Sequence, residues 1–441
     1  MRLSIKDIYN RCLSFSVIML EFLLFIRTLY YKEVSGLMAS RFWVVFLFLF
    51  SFSIEVSAEV PLKAAFIRDH QLWLKEGERE RQLTENQFVS SPQWSHDGRF
   101  IAYLAGEKEG QEQYLYIYDS KEQKSYQPYP ELEASSYSWS PAANQLAYLD
   151  KGILNITKTE NGRPQGFENV ALGVSNFEWF PDGDNFIASS LSNLLPTGWE
   201  PVHLFKIPKD AKADTKKIKP FYTIQTNEDD LFAIDAESFK WSADGKWLSF
   251  LAIPTASWSA DSNTLCVISS TGRNFQAIGK MLYFENWIKW APMKNQLAFI
   301  SGEGRFFVEN KNAAVMDIPS SSKAREYTPK GYVDLDIEWL SPVEIIVARS
   351  KENKHWNEGP VPPMFTALYT IDIKSGEQRQ LTFPKDNELD TAPQVIEDSI
   401  TWLRKAENQN QGDLWVKERV DGEAYQWIKN IDSAPVFFNA K

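Results

Sequence analysis

Short apolar runs follow aromatic turn clusters along the chain, from about residue 60 to its end. Phe100-Ile101-Ala102-Tyr103 follows Trp94-Ser95-His96-Asp97-Gly98, and Trp247-Leu248-Ser249-Phe250 follows Trp241-Ser242-Ala243-Asp244-Gly245. Worn copies place Trp139-Ser140-Pro141 before Leu146-Ala147-Tyr148, Trp179-Phe180-Pro181-Asp182-Gly183 before Phe186-Ile187-Ala188, and Trp290-Ala291-Pro292 before Leu297-Ala298-Phe299. Further copies begin at Trp339-Leu340-Ser341-Pro342 and, with Gln394 in the Trp place, at Ala392-Pro393-Gln394. Runs this short, bounded by turn residues, predict strands, and no long amphipathic helical pattern competes with them. The indoles at 94, 139, 179, 241, 290 and 339 lie 45, 40, 62, 49 and 49 residues apart. Periods of that length belong to four-stranded propeller blades.

The pattern therefore predicts an all-β chain forming one β-propeller of four-stranded antiparallel blades. Asp-Gly supplies the turn, and each Trp is expected to wedge between neighbouring blades. The first strands, Ala64–Ile67, Gln71–Leu74 and Arg81–Thr84, lack a Trp-motif strand before them. Ala434–Phe438 at the C-terminus is the expected fourth partner, so pairing of the two chain ends closes the ring and hides its edge. Seven motif blades and this shared one make eight, with seven or six as alternatives. Trp258-Ser259-Ala260-Asp261 follows Trp241 too closely to open a blade and is placed as a turn within the same one. Lys209–Lys219 reads as a surface loop inside the fourth blade, and Lys351–Pro363 as an ordered outer loop.

Residues 1–58 stand apart from this repeat. Arg41, the apolar run Phe42–Phe52 and Val56-Ser57-Ala58 have the order of a signal peptide cut after Ala58. The run is too short for a stable membrane-spanning helix, and no Cys follows it for lipid attachment. The stretch Leu13–Tyr31, carrying Glu21 and Arg27, has a rival reading as an anchor. Residues 1–37 read as a mis-assigned upstream extension, 38–58 as the signal peptide and 59–441 as the propeller. A secreted or periplasmic protein follows. Cleavage leaves Cys266 as its one cysteine, set in an apolar strand, so no internal disulfide can form.

Charge narrows the partners. The whole chain carries a formal −11; cleavage removes six basic and four acidic residues and leaves −13. So acidic a surface argues against nucleic acid and anionic lipid.

The Trp-Ser-x-Asp-Gly clusters, with Leu368-Tyr369-Thr370-Ile371-Asp372 leading to Gly376 and Gln380-Leu381-Thr382, resemble the TolB-like β-propeller repeat. Leu72-Trp73-Leu74 with Gln82-Leu83-Thr84 resembles the same half-blade, and the likeness covers most of residues 60–440. It implies a periplasmic propeller that binds envelope partners. The chain departs from that family, which usually has six blades and a further domain ahead of the ring.

Chemistry is sparse in the sequence. His70, His96, His203 and His355 have no zinc-like spacing, Gly302-Glu303-Gly304 reads as a turn, and the acidic clusters 228–230 and 386–390 lack the alternation of a calcium loop. There is no Gly-x-Ser-x-Gly elbow and no room after the last blade for an appended hydrolase domain, which weighs against the propeller peptidases. Loops leading into the innermost strands are expected to hold Phe88, Asp235, Glu285, Asp334, Asp336 and Asp390 near the channel mouth. The expected function is a monomeric, non-catalytic propeller, needing no cofactor or metal, that binds a protein or cell-wall component there. The alternative is a propeller enzyme, a lyase or hydrolase of polysaccharide or peptide, using carboxylates or a metal at the mouth.

Overall fold

The computed structural model describes residues 62–225, 231–320, 322–356 and 358–439. The readings of residues 1–58 lie outside these, as does the acidic cluster 228–230. The chain divides into Met1–Val60 and Pro61–Lys441, and the second unit is the propeller.

Eight four-stranded antiparallel sheets form among the described residues. Their innermost strands are Val436–Phe437, Phe88–Trp94, Ser136–Trp139, Val174–Trp179, Asp235–Trp241, Ile288–Trp290, Tyr332–Ser341 and Glu388–Ile396, for blades 1 to 8. Blade 1 is the shared one: Ala64 pairs with Phe437 and Ala65 with Val436. Each apolar run of the repeat is the second strand of its blade. These runs are almost wholly buried, as Phe100–Tyr103 and Leu248–Ala252 show, because blades pack on both faces of a sheet and leave no solvated side.

The turn cluster is held by its own side chains. Ser95 Oγ donates to Asp97 (3.1 Å) and accepts from the Phe100 amide (3.0 Å), while Asp97 accepts the Arg99 amide (2.9 Å). Ser242, Asp244, Lys246 and Trp247 repeat this arrangement at 2.8, 3.0 and 3.0 Å. Gly98 closes the turn at φ +70°, and a Cβ there would lie 2.6 Å from the Phe438 ring. Glycine is thus required twice over, by backbone angle and by space. The Asp also reaches sideways to the following blade, since Asn144 Nδ2 donates to Asp97 (2.8 Å) and Asn295 Nδ2 to Asp244 (3.2 Å).

Each motif indole joins its blade to the one before. The Nε1 hydrogens of Trp94, Trp139, Trp179, Trp241, Trp290 and Trp339 donate to the carbonyls of Val436, Gln93, Ser138, Trp179, Lys240 and Lys289, at 2.8–3.1 Å. The Trp94 bond crosses the seam between the chain ends. Gln394, in the Trp place of blade 8, points the other way and donates to Pro435 of blade 1 at 3.2 Å.

The long interval in blade 4 has two causes. A small hairpin, Leu194–Leu195 with Gly198–Trp199, sits between the second and third strands, and residues 209–218 form a loop before the outermost strand. Trp258 lies in a short helix, Ala256–Ser259, between the second and third strands of blade 5. No helix among the described residues is long and apolar enough to cross a membrane.

Candidate functional site

A blade whose innermost strand runs away from one face of the ring returns to that face twice. The connections between second and third strands, and the loops to the next blade, therefore share one face. That face carries most of the exposed large apolar side chains, among them Leu191, Leu194, Trp258, Phe284, Phe306 and Phe383; the opposite turns expose Met293 and Val420. It surrounds the mouth of the channel.

Below the mouth, the residue directly before each motif indole stands at one level of the inner rim. Around the ring these are Gln93, Ser138, Glu178, Lys240, Lys289, Glu338 and, before Gln394, Pro393. The charged members fall together on blades 4 to 7, in the order acid, base, base, acid. Their side chains bridge adjacent blades: Ser138 Oγ donates to Glu178 (3.3 Å), Lys240 Nζ donates to the carbonyls of Glu285 and Ile288, and Lys289 pairs with Glu338 (2.7 Å). Glu178 and Glu338 each accept the amide of the Trp that follows, at 2.7 and 2.9 Å. Burial, only partly offset by those hydrogen bonds, pushes the Glu178 carboxyl up to about 7. Burial first, then the neighbouring Lys289, pulls the Lys240 ammonium down to about 8. Groups displaced toward neutrality in a concave site mark candidate chemistry.

The residues read from sequence do not stand together in loops. Glu285 alone of the six lies in a connection, the 3₁₀ turn Glu285–Trp287, where its carbonyl receives Lys240. The others belong to innermost strands. Phe88 opens the strand of blade 2 and lies against His70, ring centres 4.8 Å apart. Asp235 is enclosed by Ser175 (2.6 Å), Asn176 (3.2 Å) and Ser189 (3.3 Å) and ties blade 5 to blade 4.

Asp334 and Asp390 are fully buried, each gripped by an arginine on the next strand of its own blade. Arg349 donates to Asp334 at 2.7 and 2.8 Å, and Arg404 to Asp390 at 2.7 and 2.8 Å. Two-pronged pairs of this kind use up the carboxylate. Asp336 differs: it accepts the Ala392 amide of blade 8 (2.8 Å), and burial pushes it up to about 6.

Glu178, Lys240, Lys289 and Glu338 escaped the sequence reading. Aligning the repeat copies on the indole and reading one residue back exposes them. Among the described residues, no group of three or more His, Cys, Asp or Glu is placed to hold a metal ion.

Comparison with known proteins adds what the geometry leaves open. No family model matches the chain. An uncharacterised peptidase of Bacillus subtilis strain 168, YuxL, is 26% identical over 192 residues, covering 37% of this chain and 29% of that protein. Among solved structures, a puromycin hydrolase is similar over 80% of this chain and 55% of its own (TM-score 0.50, 14% identical). A prolyl endopeptidase is similar over 79% and 51% (0.52, 13%). A eukaryotic initiation factor is similar over 86% and 88% (0.53, 12%). At such identities the structures show the propeller fold. The chain spans about half the length of the solved peptidases and under a third of the curated relative.

These findings correct the expectation of a ring without catalysis: the relative found by sequence is a peptidase, and peptidases recur among the structural neighbours. The missing Gly-x-Ser-x-Gly and the position of the last blade were the wrong test. The likeness lies in the propeller, whatever accompanies it.

Proposed function

We propose that this chain serves peptide hydrolysis, with the propeller receiving the peptide at the charged side of its channel. The sequence likeness to a peptidase carries the reading. The mouth offers fitting chemistry. Asp336, displaced to about 6, can take a proton from water or return one to a leaving amine near neutral pH. Apolar side chains around the mouth suit the side chains of a peptide, and the rim below offers both signs of charge to its polar backbone and ends.

The test is a peptide pool incubated with the full chain and followed by mass spectrometry. New peptide ends should accumulate, and Asp336→Asn should slow them by about a hundredfold, the usual scale for a lost general acid or base. Its melting temperature guards against misfolding. A folded parent protein that leaves the whole pool intact would contradict the reading.

The TolB-like character of the repeat and the export read from Arg41–Ala58 belong to the same proposal. A mature protein beginning at Glu59, found by N-terminal sequencing, would support export; retention of residues 38–58 would refute it.

A further inference from the structure

The two faces of the ring differ in charge as well as in apolar exposure. Among the described residues, the connections on the mouth face hold seventeen Asp or Glu against seven Lys or Arg, while the turns on the opposite face hold thirteen against twelve. The formal charge is therefore −10 on the mouth face and −1 on the back. Pairing sharpens the contrast. On the back, Asp184, Asp210 and Asp244 each meet a lysine at 2.7–3.3 Å, and Glu122, Glu377 and Asp421 each meet an arginine. On the mouth face the ion pairs formed among the described residues engage Asp261, Glu352 and, through His70 at 3.7 Å, Asp432. Glu107, Glu200, Glu303 and Asp386 are among the acids of that face that enter none there.

The apolar side chains of this face stand on built supports. Trp258, 55% exposed, lies edge-on to Phe232 with ring centres 5.4 Å apart, and Phe306 lies edge-on to Trp356 at 4.6 Å. Arg305 donates to the Asp261 carboxylate (3.2 and 3.3 Å) and to the Ser257 carbonyl (3.3 Å), and so ties together the loops of blades 5 and 6 that carry Trp258 and Phe306. Rings held in place beforehand lose little freedom when a ligand covers them. An exposed apolar surface among carboxylates that the protein itself leaves unneutralised is complementary to a ligand both apolar and cationic. A second copy would bring −10 against −10, and anionic lipid is repelled in the same way.

We propose that the mouth face is a docking surface for a cationic peptide bearing leucine or aromatic side chains. Its basic groups meet carboxylates without ion-pair partners, such as Glu303 and Asp386, and its apolar groups cover Trp258, Phe306 and Phe383. The inference rests on the peptide reading of function and deepens it by naming the class of peptide that reaches the channel.

The experiment is fluorescence anisotropy on the full chain with three labelled peptides: one of Lys, Leu and Phe, one with Glu in the Lys places, and one with Ser in the Leu and Phe places. In about 10 mM salt, where charges act over about 30 Å, the first should bind about tenfold more tightly than either other. Its margin over the Glu peptide should shrink in about 150 mM salt, where that reach falls to about 8 Å. Glu200→Gln, Glu303→Gln, Glu309→Gln and Asp386→Asn made together should weaken the Lys peptide about tenfold. The same change of charge on the back, Glu397→Gln, Asp398→Asn, Asp421→Asn and Glu423→Gln, should leave its binding unmoved; melting curves establish that both variants are folded. Equal binding of the Lys and Glu peptides overturns the proposal, as does an equal loss in the two variants. A Ser peptide that binds as tightly as the Leu and Phe one overturns the apolar contact. Sedimentation as a dimer that Trp258→Ser turns into a monomer makes a second copy the occupant and overturns the peptide. Cleavage of peptides without any preference for positive charge sinks this inference and leaves the hydrolysis reading standing; neither binding nor cleavage sinks both.

Discussion

Tryptophan in this chain does two separate jobs, and the hydrogen-bond pattern distinguishes them. The motif indoles all donate to a neighbouring blade, whereas the indole nitrogens of Trp73, Trp402 and Trp415 are buried with no hydrogen-bond partner among the described residues. The first set fixes register between blades as well as filling space; the second fills space. Trp139 stacks on Phe100 of blade 2, ring centres 6.1 Å apart, and bonds to Gln93 of the same blade. Trp139→Ala should cost about 3–5 kcal/mol in chemical denaturation, the range for emptying a large aromatic site. An unchanged midpoint would remove the wedge.

The Glu178 carboxyl gives a second prediction. Its folded value near 7 lies above the ordinary 4.5, so the folded state holds this proton more tightly than the unfolded chain does. The corresponding stability is complete below about 4.5 and is lost as pH rises to about 7, a change of up to about 3 kcal/mol. Melting temperatures of Glu178→Gln and the parent should therefore differ more at pH 8 than at pH 5, the variant being relatively favoured at the higher pH. Parallel curves would contradict the displacement. At this level the sequence was only partly legible. Carboxylates near the mouth could be picked out, but arginines fifteen or so residues away claim Asp334 and Asp390, and only a register shows that. The rim charges were hidden because they sit beside a motif that draws the eye to its indole.

Strands and turns were the most legible part of the chain, because one repeating hairpin is tested again in every blade. Ser and Asp at fixed places in the cluster bond to their own turn, so the motif is a complete local structure. Hydrogen bonds from Ser242, Lys246 and Asn295 outweigh burial and hold the Asp244 carboxyl down to about 2. The C-terminal strand Val436–Phe437 was recognisable from a deficit, three strands at the N-terminal end with no fourth, rather than from its own residues. It buries Phe437 between Phe66 and Trp427, and Val436 accepts the Trp94 indole. Removing residues 434–441 should cost at least about 3–5 kcal/mol, the loss of one buried phenylalanine. Light scattering should also rise, since Lys63–Arg68 would become an open edge. A truncated chain that stays monodisperse with an unaltered midpoint would show the seam to be dispensable. The hairpin at Leu194–Trp199 was not anticipated, for two-residue strands leave too little periodicity to detect.

The whole ring turns one set of repeats into two unlike halves. Blades 4 to 7 carry the charged rim, with exposed apolar loops above it. At the same level the other four blades offer Gln93, Ser138, Pro393 and the short closing strand. Nothing in the eightfold repeat requires that division, and the proposed function places the peptide on the charged side. Sequence reasoning reached the fold and expected no catalysis, whereas the relative found by sequence is a peptidase. It sought a nucleophile motif, while the likeness to a peptidase runs through the propeller. The decisive measurement is photo-crosslinking: a peptide cleaved by the full chain, carrying a photoreactive phenylalanine, is irradiated with the protein and the adducts are located by mass spectrometry. Adducts should fall within Val174–Trp179, Asp235–Trp241, Ile288–Trp290 and Tyr332–Ser341, or in the apolar loops above them. Adducts confined to the opposite turns, around Met293 and Val420, or to outermost strands would contradict a peptide held at the charged side of the channel.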